Sequence, residues 1–141
     1  LGEVRAALPS RLEVTVCVDS FATFLRDYAA LLSPAGGGAS ALYDMGMYHG
    51  ESAQEWSDKL NAEVATAGGP AGLVAGLSLA PKFAWESNVT SLHARMQAVA
   101  AARVTKVGVF AWTQAHWPPK LAPEMREAWT SALTAFAAGQ L

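Results

Sequence analysis

A single cysteine, Cys17, in 141 residues excludes an intrachain disulfide and a zinc cluster built from this chain's own cysteines. Basic residues are scarce: 10 Lys and Arg against 12 Asp and Glu leave a net charge of −2. No surplus is left to neutralise a phosphate backbone, so nucleic acid is not an expected partner. No stretch approaches the roughly 18 apolar residues needed to cross a bilayer, so no membrane partner is expected. Leu1 to Arg5 lack the apolar core of a signal peptide. Gly36-Gly37-Gly38 precedes a strand and not a helix, so it is neither a Rossmann nor a P-loop glycine cluster. No His-Glu-x-x-His pattern occurs. Gly76-Leu77-Ser78 is not a nucleophile elbow, because Ala80 stands where the second glycine belongs. No cofactor and no metal are therefore expected.

The composition that is present, 52% hydrophobic and 16% charged, is that of a folded domain with a core. The length fits one domain. Asn88-Val89-Thr90 is a formal N-glycosylation sequon at a helix start. It leaves localisation open, with a lean towards secretion. Glu3 to Leu8 reads as the last turns of a helix stopped by Pro9. With no initiator Met, this start is read as that of a fragment or a processed chain.

Four strand–helix units follow. Leu12 to Asp19 alternates and is rich in valine, a strand pattern. Ser20 is placed to cap a helix carrying Phe21, Phe24, Leu25, Tyr28, Leu31 and Leu32. Ala41 to Tyr48 is the second strand. Ser52 and Glu55 form a capping box, and Trp56, Leu60 and Val64 follow four apart until Gly68-Gly69-Pro70. The third strand is Gly72 to Ala80; its helix starts near Ser87 or Asn88, with Val89, Leu92, Met96 and Val99 as its stripe. The fourth is Thr105 to Trp112, and Pro123 opens a last helix carrying Met125, Trp129, Leu133 and Phe136. Strand starts recur about every 30 residues, the unit length of a (β/α)₈ barrel.

An open doubly wound sheet is the competing architecture, and it should be apolar on both faces. Here one face is aliphatic in most strands: Leu12, Val14, Val16 and Val18; Leu73, Ala75, Leu77 and Leu79; Val107, Val109 and Ala111. In the second strand, Tyr43, Met45 and Met47 are set on this side, against Leu42, Asp44, Gly46 and Tyr48. The other face mixes small, polar and aromatic groups, as a barrel lumen would. The expected fold is α/β, with parallel strands forming half of a (β/α)₈ barrel. A missing half is expected on the same or another chain, because four units leave two open sheet edges.

Barrel sites lie at the C-terminal strand ends. Those ends carry Asp19, Asp44, Tyr48 with His49, Lys82 with Trp85 and Glu86, and Trp112 with Gln114 and His116. Aromatic faces stack on sugar rings, while carboxylates and amides take hydroxyls. Paired carboxylates are also the machinery of glycosidic cleavage. Bland roles compete: Asp19 assisting a cap, Glu86 beside a helix N-terminus, Tyr48 and Trp112 as filling, His49, His93 and His116 in solvent. Asp44, read as mid-strand on the lumen side, is the strongest candidate, because a carboxylate there is costly unless it is paired or functional.

Tyr43-Asp44, Gly76-Leu77-Ser78 and Val107 to Trp112 together resemble the last three strands of glycoside hydrolase barrels, in particular the chitinase-like family 18. That family carries Met-x-Tyr-Asp on strand six, Gly-Leu on strand seven and a Trp ending strand eight. The resemblance spans about Ala41 to Trp112. It implies that Tyr43 and Asp44 contact the reacting sugar and that Trp112 floors its subsite. Tyr48, or Tyr43, would be the hydroxyl partner of Asp44; Asp19, Lys82 and Gln114 would be polar contacts. The substrate would be an oligosaccharide or polysaccharide. Ala41 stands where the family has Met, and Tyr48-His49 is an alternative equivalent pair. The family's Asp-x-x-Asp-x-Asp-x-Glu motif, which holds the general acid, is absent from this chain. The resemblance thus places that acid in the missing half, or implies a non-catalytic barrel acting as a binding module or structural subunit.

Overall fold

The computed structural model describes residues 2–18, 28–32, 38–44, 52–78, 89–110 and 123–140. A short helix α1 (Gly2–Ala7) precedes β1 (Thr15–Val18). A 3₁₀ turn (Ala29–Leu32) leads to β2 (Ala41–Asp44) and α2 (Ala53–Thr66). A second 3₁₀ turn (Pro70–Gly72) enters β3 (Leu73–Ser78), followed by α3 (Val89–Ala101), β4 (Val107–Phe110) and α4 (Pro123–Ala137). The four strands are parallel and lie in chain order, β1-β2-β3-β4.

The helices explain that order. Trp56 and Leu60 of α2, Leu92, Met96 and Val99 of α3, and Met125, Trp129 and Ala132 of α4 are all buried in one cluster. The strands contribute Leu42, Leu73, Ala75 and Leu77 to it, with Val16, Val107 and Val109 packed at its border. These residues occupy alternate ladder positions and so share one face of the sheet. Ala41 and Val74, on the opposite face, are buried but stand outside the cluster. Among the described residues every long helix therefore covers the same face. A doubly wound sheet would divide its helices between both faces.

The expected faces of β1, β3 and β4 agree with this arrangement, but that of β2 is reversed. Leu42 pairs with Val16 and Leu73 and lies in the helix-side cluster, while Tyr43 pairs with Cys17 and Val74 on the other side. Burying Leu42 removes a purely aliphatic side chain from water. Tyr43 is amphipathic and tolerates a half-buried position. Asp44 is the last residue of β2, not mid-strand, and its ladder position alternates with that of Tyr43.

The first strand is also shorter than expected. Pro9 and Leu12 close a turn, Leu12 N–H donating to the Pro9 carbonyl at 3.0 Å, and Leu12 is 44% exposed. Pairing starts only where β2 provides a partner. Ser40 makes the junction: its hydroxyl accepts from Val14 N–H at 3.2 Å and its N–H donates to the Val14 carbonyl at 2.7 Å. Of the helix expected after β1, Phe21, Phe24 and Leu25 lie outside the described residues. Tyr28 is exposed, and Leu31 and Leu32 pack at the border of the core from a 3₁₀ turn.

The capping box of α2 forms as expected. Ser52 Oγ accepts from Glu55 N–H at 3.2 Å, and Glu55 Oε2 accepts from Ser52 N–H at 2.9 Å. The Ser52 hydroxyl also donates to Glu55 Oε2 at 2.7 Å. The hydroxyl and amide of Ser52 hold the Glu55 carboxyl below its ordinary 4.5. A lowered folded pKa means stability that is fully present above pH 4.5 and lost as pH falls through the folded value. Ser52→Ala should cost about 1 kcal/mol near neutral pH. It should also flatten the acid limb of a stability–pH profile measured by urea unfolding.

All three long helices end in the same closure. The N–H donors of Gly69, Val104 and Gln140 reach back five residues to the carbonyls of Val64, Val99 and Ala135. This Schellman geometry needs a left-handed residue just before each donor. Gly68 at φ 77° and Gly139 at φ 66° supply it, but α3 uses Arg103 at φ 57°. An L-residue there pays a steric cost that glycine escapes. Arg103→Gly should therefore stabilise the protein by about 0.5–1 kcal/mol, read as a raised urea midpoint with unchanged slope.

Candidate functional site on the concave face

The face opposite the helices carries Thr15 and Cys17 from β1, Ala41 and Tyr43 from β2, Val74 and Gly76 from β3, and Gly108 from β4. Glu13 and Lys106 continue the same alternation just ahead of β1 and β4. These two strands are the edges of the sheet, roughly 14 Å apart if it were flat. Yet Lys106 Nζ lies 2.7 Å from Glu13 Oε2. Side chains standing off a flat sheet do not meet over three strand spacings, so the sheet curls and this face is concave.

A second contact crosses the same hollow. A Cβ built on Gly108 would sit 2.5 Å from Tyr43 Cε2 and 2.7 Å from Cζ. Tyr43 belongs to β2 and Gly108 to β4, so the ring reaches over β3. The β3 residue paired with Gly108 is Gly76, which also lacks a side chain.

Tyr43 is thus a half-buried aromatic group on the floor of the hollow. Asp44 follows it at the C-terminal end of β2, level with Val18. Asp19, Tyr48, Lys82, Trp112 and Gln114 lie outside the described residues, as do His49, Glu86 and His116. His93 is on the exposed side of α3, in keeping with a solvated helix histidine. Glu13, Lys106 and Gly108 were not singled out from the sequence. Their alternation with Thr15 and Val107 marks the face they share, but only the curl brings them to their partners. Cys17 is exposed on this face beside Tyr43. Among the described residues no three His, Cys, Asp or Glu side chains gather as metal ligands, and no helix is long and apolar enough to cross a membrane.

No protein-family model, curated protein or solved structure matches this chain.

The Glu13–Lys106 pair is partly solvated, with side-chain exposures of 61% and 29%, so its worth is small. A double-mutant cycle of Glu13→Gln and Lys106→Met should give a coupling of roughly 0.2–1 kcal/mol at low salt. The coupling should fade near 1 M salt, where the Debye length is about 3 Å. Zero coupling at low salt would mean that the pair contributes nothing to stability.

Proposed function

We propose that this chain is the C-terminal half of a (β/α)₈ barrel of the glycoside hydrolase kind and supplies one side of a sugar-binding site. The observation that carries the barrel reading is the stagger of the Tyr43–Gly108 contact. Tyr43 pairs with Val74, and stepping the β3–β4 ladder back one residue from Ala75 and Val107 sets Val74 beside Lys106. The residue square across from Tyr43 is therefore Lys106, but the ring meets Gly108, two residues further along. Two residues over two strands is one residue per strand, the stagger that closes eight strands with a shear of eight. In such barrels, interior positions of alternate strands share a layer, and a contact between Tyr43 of β2 and Gly108 of β4 is in keeping with that. Sequential strand order and a one-sided helix layer support the same reading.

The sugar assignment rests on the family 18 resemblance and on the residues at the strand ends. Asp44 is the carboxylate that contacts the substrate or intermediate, and Trp112 is the stacking floor. Tyr48 or Tyr43 is the hydroxyl partner, with Asp19, Lys82 and Gln114 as polar contacts. Hydrolysis also needs a general acid to protonate the leaving oxygen, and the remaining half-barrel, on this or another chain, supplies it. The missing acidic motif favours one second reading, a non-catalytic barrel that binds sugar or serves as a subunit of a larger assembly.

Titration with β-linked oligosaccharides of glucose and N-acetylglucosamine tests the proposal. Asp44→Ala and Trp112→Ala should each weaken binding about tenfold or more, as loss of a charged hydrogen bond or a stacking platform does. Unchanged binding in both variants would refute the sugar site. Product release by the wild type separates the enzyme from the binding module.

A further inference from the structure

An open cleft of about 410 Å³ lies where the C-terminal ends of α3 and α4 meet. Ala100, Val104, Phe136 and Ala137 give it apolar walls, and Arg103 and Thr105 give it polar ones. Small-molecule sites span roughly 300–1,000 Å³, so the cleft is large enough for a ligand. Thr105 stands just ahead of β4, whereas Asp44 ends β2. The strands are parallel, so the cleft is at the opposite end of the sheet from Asp44 and is separate from the sugar site proposed above.

Arg103 is the unusual residue of this cleft. It is the left-handed residue, φ 57°, that closes α3, where α2 and α4 use Gly68 and Gly139. Glycine would hold that backbone at lower cost. A cation near a helix C-terminus gains from the helix dipole. Yet the last turn of α3 carries no basic residue, and its exposed Ala101 is a position where one would fit without strain. The dipole therefore does not account for an arginine at position 103. The fold does not use the guanidinium either: among the described residues it makes no hydrogen bond, ion pair or ring contact. No acidic residue lines the cleft, which thus holds one cation beside apolar walls and no counter-ion. Residues kept in a costly backbone conformation cluster at ligand sites.

We propose that the cleft between the ends of α3 and α4 binds a small aromatic carboxylate. The Arg103 guanidinium takes the carboxylate through paired N–H donors, and the Thr105 hydroxyl is a further donor. The ring of the ligand is received by Phe136, which is partly buried at the border of the core, with Ala100 and Ala137 leaving room beside it. Aromatic pairs gain from offset or edge-to-face packing beyond the area they bury, so Phe136 favours an aromatic ligand over an aliphatic one. None of this depends on the carbohydrate reading.

The test is titration of the isotopically labelled protein with phenylacetate, followed by amide chemical shifts. Saturable shifts are expected at Arg103, Val104, Thr105 and Ala137, and none at Asp44. Arg103→Gly should bind about tenfold or more weakly, as loss of a charged hydrogen-bonded partner does, while its urea midpoint rises. Weaker binding by a more stable protein is not a product of destabilisation. Phe136→Leu should bind roughly three- to tenfold more weakly, the range of an aromatic pair. Phenylacetamide, which keeps the ring without the charge, should bind wild type about as weakly as phenylacetate binds Arg103→Gly. Acetate, which keeps the charge without the ring, should not saturate. Wild-type affinity in Arg103→Gly would refute the proposal, as would the absence of saturable shifts with millimolar phenylacetate. Shifts confined to the C-terminal strand ends would refute the location. Acetate or inorganic phosphate binding as tightly as phenylacetate would leave a plain anion site and overturn the ligand class. Should Phe136→Leu fail to fold, the comparison of phenylacetate with acetate still decides the part played by the ring.

Discussion

Burial of Leu42, Leu73, Ala75 and Leu77 beneath Trp56, Leu60, Leu92, Met96 and Trp129 constrains everything else in the molecule. Each large side chain placed there contributes about 1.5–3 kcal/mol, and all of them converge on one face of the sheet. A helix layer on one face makes successive crossovers fall on the same side, and right-handed crossovers on the same side add strands in chain order. Sheet order and strand direction both follow from that packing.

The helix layer also buries charge. Glu63 and Arg95 are fully enclosed. Lys59 Nζ approaches Glu63 Oε1 to 3.9 Å, and the Arg95 guanidinium carbon lies 5.7 Å from the centre of the Trp56 ring. Buried ions contribute less to net stability than apolar residues of equal volume, but they penalise arrangements that leave them without partners. Here they sit where α2 and α3 pack side by side, and so favour one alignment of those helices. On the far side of the sheet the demands are lighter. Among the described residues, that face carries mostly small side chains and glycines, crossed by the Glu13–Lys106 pair and by the ring of Tyr43.

Much of this was legible in the chain. Alternation identified all four strands, and apolar stripes identified the three long helices and most of their buried apolar residues, but not the buried Glu63, Arg95 and Ala132. Ser52 and Glu55 announced a cap, and Gly68 a stop, because capping depends on residues within one turn of each other. β2 was misread in facing because it is short and carries apolar residues at both parities. Leu42 and Tyr43 are both apolar by composition, and only their neighbours Val16 and Cys17 decide which one meets the helices. β1 was read three residues too long at its N-terminus because valine alternation continues past the point where a partner strand exists.

The candidate site divides in the same way. Asp44 and Tyr43 were legible as candidates, because a carboxylate and a phenol are conspicuous in an apolar run. Gly108 was not, since a glycine in a strand has no side chain to advertise a role. Local sequence determined the elements, their caps and the class of residue at each strand end, all governed by contacts within a few residues. The curl of the sheet was decided only in three dimensions, where strands distant in sequence meet. Because of that curl, Glu13 reaches Lys106 across the sheet and the ring of Tyr43 reaches Gly108.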